Sequence, residues 1–192
     1  AGRGRNGGGG VDRWVKNRIA QGPGGKESVQ GQDQQVDAET MTANDTHQLA
    51  LIQDLVPGMV AQGGGTIVNM ASGSATTEPT APPDEGGWGL AYCASKAAFG
   101  RIAGCLNAEY LAHGVRAFNV DPGFVVTEAI KARGGADLIE AQGFEPALAD
   151  DAGLVISWLT HAPAAERLLG KVIWSPLVVT KQGLRTNRDH SG

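Results

Sequence analysis

Tyr92 and Lys96 are the residues of this sequence whose types and spacing could do chemistry. They stand four positions apart, which places them one turn apart on the same face of a helix. A free tyrosine has a pKa of about 10 and is almost fully protonated at neutral pH, whereas a fixed ammonium beside it lowers that pKa. The pair is therefore a candidate acid–base group, although the same spacing is also typical of a solvated surface pair.

Two short apolar segments flank the predicted helix. Residues Gly65–Met70 form a β-branched run that leads into Ser72, and residues Gly114–Val120 form a second run followed by a Pro-Gly turn. Such runs are typical of buried parallel strands, whose carboxyl ends meet at the edge of a sheet where ligands bind. The order strand, helix, strand and turn predicts a βαβ unit that brings Ser72, Tyr92 and Lys96 to that edge.

In this stretch the chain resembles the short-chain dehydrogenases/reductases. The resemblance rests on TIVNMAS, which ends at Ser72, on Tyr92 and Lys96, and on the segment from Asn119 to Thr127. Asn44 lies 28 residues before Ser72, ahead of the helix HQLALIQDLVPGMVAQ, where the family has a catalytic asparagine. The resemblance implies a catalytic tetrad of Asn44, Ser72, Tyr92 and Lys96.

The resemblance also implies a reaction, a cofactor and an assembly. An NAD- or NADP-dependent oxidoreductase would interconvert an alcohol and a carbonyl, with Tyr92 exchanging a proton, Ser72 holding the substrate oxygen and Asn44 supporting a relay water. Lys96 would lower the tyrosine pKa and hold the nicotinamide ribose. The residues that would contact the cofactor are Asn17, Tyr92, Lys96, Pro122, Gly123, Val125 and Thr127. The family dimerises through the two helices of this region, so a homo-oligomer is expected.

The fold class that these segments predict is α/β, a doubly wound parallel Rossmann-like sheet. Residues 41–181 are the predicted catalytic half-domain, and residues 182–192 are a polar tail. Residues 1–40 are expected to be low-complexity or poorly ordered, and residues 21–40, which are polar without periodicity, to be loop or disorder.

The expected sheet lacks its amino-terminal βαβαβ half. The first ten residues, AGRGRNGGGG, match the glycine pattern of a dinucleotide-binding loop, but no strand precedes them, so the match is rejected. Val11–Ile19 resemble a damaged copy of the family's fourth strand. The strands that would normally come before that copy are not found in the sequence.

Composition argues against several classes of protein. The 192 residues carry a net charge of −4, so a nucleic-acid or anionic-membrane partner is not expected. A transmembrane helix and a signal peptide are not expected, because we find neither an apolar run of the ~18 residues that a membrane span needs nor a charged start followed by a hydrophobic stretch. Cys93 and Cys105 have no metal-ligand spacing and are interpreted as reduced core thiols of a cytoplasmic protein without a metal site.

Three alternatives remain open at the level of sequence. Ser74 is a second candidate for the catalytic serine, two positions beyond Ser72. Asn44 is also a preferred residue type for the amino-terminal cap of the helix that follows it. The chain is an active oxidoreductase, a catalytically silent remnant that binds no cofactor and serves at most as an interaction or dimerisation module, or a binding module with an RG-rich tail.

Overall fold

The computed structural model describes residues 13–16, 28–31, 34–85, 87–128, 131 and 146–185. Within these residues, four parallel strands form one sheet in the order β1-β2-β3-β4. The strands are β1 (Arg13–Lys16), β2 (Gly65–Met70), β3 (Val115–Asp121) and β4 (Val172–Trp174). The α-helices are α1 (Gln34–Met41), α2 (His47–Ala61), α3 (Leu90–Tyr110), α4 (Ala149–His161) and α5 (Ser175–Gln182).

The sheet has a hydrophobic core on each face. Successive side chains of a strand point to opposite faces, so Ile67 and Ala117 pack with α2 and α3, whereas Val68 and Phe118 pack with α4 and α5. Burial on both faces explains why apolar residues follow one another directly in these strands, as Ile67 and Val68 do in β2 and Ala117 and Phe118 in β3. The predicted α/β fold, a doubly wound parallel Rossmann-like sheet, is confirmed.

Strand β1 lies beside β2 in parallel, with Arg13 opposite Thr66 and Lys16 opposite Asn69. This pairing agrees with the strand expected within residues 11–19. Asn17 and the glycine-rich residues 1–10 lie outside the described residues, so the cofactor contact of Asn17 and the low-complexity segment stay predictions.

Helix α1 corrects the expectation of loop or disorder at the end of residues 21–40. Its sequence, QQVDAETM, has no apolar stripe, but Gln, Ala, Glu and Met favour helices. Gln35 donates a side-chain hydrogen bond of 3.0 Å to Glu39 one turn later. Thr40 is buried and the helix contacts α3, so packing against the rest of the fold stabilises a helix that periodicity does not reveal.

A π-helical turn at Thr42–Thr46 joins α1 to α2. Helical structure is therefore continuous from Gln34 to Ala61, with Asn44 inside it. The alternative in which Asn44 caps the following helix is wrong. In a π turn the backbone hydrogen bonds span one more residue than in an α-helix, and turns of this kind are frequent at functional sites.

The backbones before β2 and β3 come into close contact at two glycines, which lie at the amino-terminal ends of these strands. Gly64 and Gly114 have φ angles of +140° and +79°, and a Cβ added to Gly114 would lie 2.6 Å from the carbonyl oxygen of Gly63. The N–H of Gly65 donates to the Gly114 carbonyl at 3.1 Å. This close backbone contact begins the register in which Gly65 lies opposite Val115.

The helix surfaces correct one further expectation. Cys93 is partly buried, but Cys105 is exposed, so the prediction of two core thiols is wrong for Cys105. Crossing a membrane takes a longer and more apolar helix than any in the described ranges.

Candidate active site

Helix α3 is fixed to β3 by two asparagine side chains. The Asn107 amide donates to the carbonyl of Ala117 and accepts from the N–H of the same residue, both at 2.8 Å. Asn119 donates to the Gly100 carbonyl at 2.8 Å and accepts a hydrogen bond of 3.2 Å from Asn69. Because these amides pair with the backbone of both elements, they set the position of α3 on the sheet. The first two turns of α3 are thereby held at the carboxyl edge of β2 and β3.

The loop after β2 presents two serine hydroxyls at that edge. Ser72 precedes a 3₁₀ turn at Gly73–Ala75, and its Oγ accepts hydrogen bonds from the Ser74 N–H at 3.2 Å and the Ser74 hydroxyl at 3.1 Å. Both serine side chains lie close enough to the Tyr92 phenol to lower its pKa. The structure thus brings Ser72 and Tyr92 together as the sequence predicts, and it places Ser74 in the same cluster.

The pKa of Tyr92 differs in direction from the sequence prediction. Burial raises the pKa of the phenol above its ordinary value of 10.0, and the side chains of Ser72 and Ser74 act in the opposite direction. The negative charges of Asp121 and Cys93 add to the increase. The expected lowering of the Tyr92 pKa is therefore wrong, because the effect of burial outweighs that of the two serine side chains.

Lys96 lies one turn beyond Tyr92 and is only 1% exposed. Its ammonium donates to the carbonyl oxygen of Met70 at 3.0 Å and lies 5.6 Å from the centre of the Phe99 ring. Burial lowers the pKa of Lys96 to about 8, and the carboxylates of Asp121 and Asp45 act in the opposite direction. An ammonium has three donors, so the bond to Met70 leaves capacity for a further acceptor.

Asn44 reaches the tyrosine through a neighbouring side chain. Its amide donates to the Ser95 hydroxyl at 3.1 Å, and that hydroxyl donates to the main-chain carbonyl of Tyr92, also at 3.1 Å. Asn44 and Ser95 are both buried. The chain of contacts connects the π turn to the helical turn that carries the phenol. Ser95 was missed at the sequence level, where its place directly before Lys96 was the available signal.

Asp45 is a second residue that the sequence analysis missed. Both of its carboxylate oxygens are buried and have no hydrogen-bond partner within the described residues. Burial raises the pKa of Asp45 to about 6, and the charge of Lys96 opposes that rise. Asp45 lies within the π turn, which the sequence did not predict.

Asp121 is the third missed residue and ends β3. Its Oδ1 accepts a hydrogen bond of 2.9 Å from the N–H of Gly123. Burial raises the pKa of Asp121, while the backbone groups of Gly123 and Gly73 and the charge of Lys96 lower it. An ionisable residue directly after an apolar strand was the signal that could have identified it.

The loop after β3 carries the predicted cofactor contacts of this edge. Pro122 is followed by Gly123, whose φ is +76° and whose added Cβ would lie 2.8 Å from the Ala147 side chain. Val125 pairs with Ala147 in a parallel bridge, and Thr127 is exposed. These residues lie on a backbone fixed against the segment that leads into α4.

The sequence of this chain is similar to those of known proteins. Residues 9–136 match the sequence profile of the family described as short chain dehydrogenase. A curated Bradyrhizobium diazoefficiens protein, named a probable short-chain type dehydrogenase/reductase, is 34% identical over 95 residues. That match covers 50% of this chain and 31% of the relative, so it spans less than a third of the relative's length.

Two solved structures share the fold. One is assigned as a short-chain dehydrogenase/reductase of Burkholderia xenovorans, with a TM-score of 0.70 and 24% identity over 93% of this chain and 66% of the other. The other is the protein gox2181, with a TM-score of 0.72 and 21% identity over 86% of this chain and 63% of the other. At these identities the likeness concerns the fold alone.

Proposed function

Because the chain belongs to the short-chain dehydrogenase family, we propose that it is an oxidoreductase that uses NAD or NADP to interconvert an alcohol and a carbonyl compound. The observation that carries this proposal is that the Ser72 side chain lies close enough to the Tyr92 phenol to act on its pKa, with Lys96 one turn away. A tyrosine hydroxyl and a serine hydroxyl that lie side by side can both hydrogen-bond a single substrate oxygen. The reaction class that needs this arrangement is proton exchange at a carbonyl or alcohol oxygen.

The proton chemistry follows from the positions of these side chains. In reduction, the Tyr92 hydroxyl donates its proton to the carbonyl oxygen of the substrate, and the Ser72 hydroxyl donates a hydrogen bond to the same atom. In oxidation, Tyr92 takes the proton from the alcohol. A nicotinamide cofactor supplies or accepts the hydride when it is bound. The Asn44 amide, which is linked to the Tyr92 turn through Ser95, supports the relay that restores the tyrosine proton.

The residues at the sheet edge suit the nicotinamide end of such a cofactor. Lys96 retains donors beyond the one that binds Met70, which suits a ribose hydroxyl. The backbone from Pro122 to Val125, with the Thr127 side chain, offers hydrogen-bonding groups to a carboxamide. Gly123 has no space for a side chain, so only its backbone groups make contacts at this position. The proposed contacts are Lys96, Pro122, Gly123, Val125 and Thr127.

A second candidate is the catalytically silent remnant. The observation that favours it is the near-complete burial of Lys96, whose ammonium is bound to a main-chain carbonyl rather than facing open solvent. In this alternative the fold serves only for interaction with a partner. The two candidates differ in whether the chain binds a nicotinamide cofactor at all.

The proposed assembly is a dimer formed through α2 and α3. A groove of about 760 Å³ runs between these helices, and its lining includes Leu49, Val56, Ile102 and Tyr110. Leu49 is 45% exposed although it is apolar, which suits burial against a second copy. Sedimentation equilibrium over a range of concentrations tests this assembly, with a Leu49→Lys variant expected to shift the chain toward monomer.

Isothermal titration of the whole chain with NADH and with NADPH separates the two candidate functions. The oxidoreductase proposal predicts saturable binding of at least one of them, weakened by Lys96→Met and unaffected by Lys181→Met, which changes an exposed lysine on α5. Absence of binding by both cofactors to a folded chain contradicts the proposal and favours the silent remnant.

A further inference from the structure

One carboxylate connects the two loops of the site. Asp121 Oδ1 accepts the Gly123 N–H at 2.9 Å in the loop after β3. The backbone of Gly73, in the loop after β2, lies against the same carboxylate: a Cβ added to Gly73 would lie 3.2 Å from Asp121 Oδ2, and the Gly73 backbone lowers the pKa of Asp121. Gly73 stands between Ser72 and Ser74. The side chain at the end of one strand therefore fixes the loop that presents both serine hydroxyls to the phenol.

Asp121 differs from an uncharged residue at the same position because its carboxylate carries a negative charge. An uncharged side chain with an oxygen acceptor would accept the same backbone hydrogen bond from Gly123. The carboxylate also carries a negative charge, which acts on the Tyr92 phenol and on the Lys96 ammonium. Negative charge near a phenol stabilises its protonated form relative to the phenolate. The ammonium of Lys96 offsets part of the cost of burying this carboxylate.

We propose that Asp121 is a positioning residue that fixes the serine loop and adds to the effect of burial in keeping Tyr92 protonated, so that the site favours donation of a proton to a carbonyl. This inference rests on the proposed function. In the step concerned, the phenol O–H bond breaks and the proton binds to the carbonyl oxygen, while the carbonyl carbon accepts hydride from a reduced nicotinamide. The reverse step needs a phenolate and is favoured only at more alkaline pH.

Several other groups act on the same phenol or on its neighbours. Ser72 and Ser74 face Tyr92 from the loop after β2, and Cys93 faces it from α3 itself. Lys96 faces Asp121 from α3. Beyond these, Asp45 acts on Lys96 from the π turn, and Glu78 acts on Cys93. A test must therefore change the charge of Asp121 alone and read the ionisation of Tyr92 alone.

The sequence makes that reading possible, because it contains only two tyrosines. In a Tyr110→Phe background, the ultraviolet absorbance of tyrosinate reports Tyr92 directly. The titration uses the whole chain without cofactor or substrate, so its result does not depend on turnover. A failure of the proposed function, in which no cofactor binds, is thereby distinguished from a failure of this inference.

Asp121→Asn in that background is expected to lower the midpoint of the Tyr92 titration by roughly one pH unit, since a nearby negative charge is lost. Asp121→Glu, which keeps the charge, is expected to keep the high midpoint, and Asp84→Asn, which changes an exposed acid, serves as the control. If Asp121→Asn does not fold, Asp121→Ser, which keeps an oxygen acceptor without charge, makes the same comparison. An unchanged midpoint in the folded neutral variant overturns the proposal. So does unfolding of both neutral variants while Asp121→Glu stays folded, which would assign the carboxylate to folding alone.

Discussion

The ammonium of Lys96 donates a hydrogen bond of 3.0 Å to the main-chain carbonyl of Met70, the last residue of β2. This bond joins the start of α3 to the sheet at the edge where the candidate site lies. It also satisfies a charge that is almost completely buried, which a protein tolerates only when the charge is hydrogen-bonded or paired. The same lysine thus contributes to the position of the Tyr92 turn and to the electrostatics around it.

Lys96 is expected to make stability depend on alkaline pH. Its pKa is lowered to about 8 in the folded chain, from 10.5, so the folded state releases this proton before the unfolded state does. The free energy of unfolding therefore rises as the pH rises from about 8 to 10.5, by roughly 3 kcal/mol from this group. Urea denaturation at both pH values should show this rise in the native sequence and its loss in Lys96→Met. A rise of equal size in Lys96→Met and in the control Lys181→Met would contradict the prediction.

Asp45 is expected to destabilise the fold at neutral pH. Because its pKa is raised to about 6, its contribution to stability is present below about pH 4 and is lost as the pH rises through 6. Asp45→Asn, which removes a buried carboxylate without a hydrogen-bond partner in the described residues, should raise the free energy of unfolding at pH 7 by roughly 1 kcal/mol. The gain should disappear near pH 4. Asp54→Asn, on the exposed side of α2, is the matched control, and a loss of stability in Asp45→Asn would oppose this account.

Two glycines of the α3 region should respond to alanine in opposite directions. Gly114 has a positive φ and no space for a Cβ, so Gly114→Ala should cost about 2–4 kcal/mol of unfolding free energy. Gly104 lies inside α3 with nothing within 4 Å of an added Cβ, so Gly104→Ala should gain about 0.5–1 kcal/mol. Thermal and urea denaturation of the two variants measures both effects. Equal effects of the two substitutions would mean that the Gly64–Gly114 contact does not constrain the register of β2 and β3.

The sequence predicts the centre of this fold well for physical reasons. Strands β2 and β3 are buried on both faces and contain consecutive apolar residues, which leave a local signal in the order of residues. The spacing of Tyr92 and Lys96 is likewise a local property, because helical periodicity fixes which residues share a face. These features did not need knowledge of distant parts of the chain.

The remaining features depend on tertiary contacts and leave no comparable signal. Helix α1 is polar and is stabilised by its contact with α3, and the π turn that holds Asn44 depends on how the two helices join. The direction of the Tyr92 pKa was mispredicted because the effect of burial, which spacing does not reveal, outweighs that of the two serine side chains. The approach of Asp121 to Gly73 similarly requires β2 and β3 to lie side by side.

The most direct test of the account is turnover by Tyr92→Phe. The measurement is the change in nicotinamide absorbance with a panel of small alcohols and carbonyl compounds, using whichever of NADH or NADPH binds in the titration. Tyr110→Phe is the matched control, because it removes the only other tyrosine hydroxyl and lies near the end of the same helix. Turnover is expected to fall by about 100-fold or more in Tyr92→Phe, with cofactor binding retained, and to stay close to that of the native sequence in Tyr110→Phe. Equal turnover by the two variants would contradict the role of Tyr92 as the proton-exchanging group.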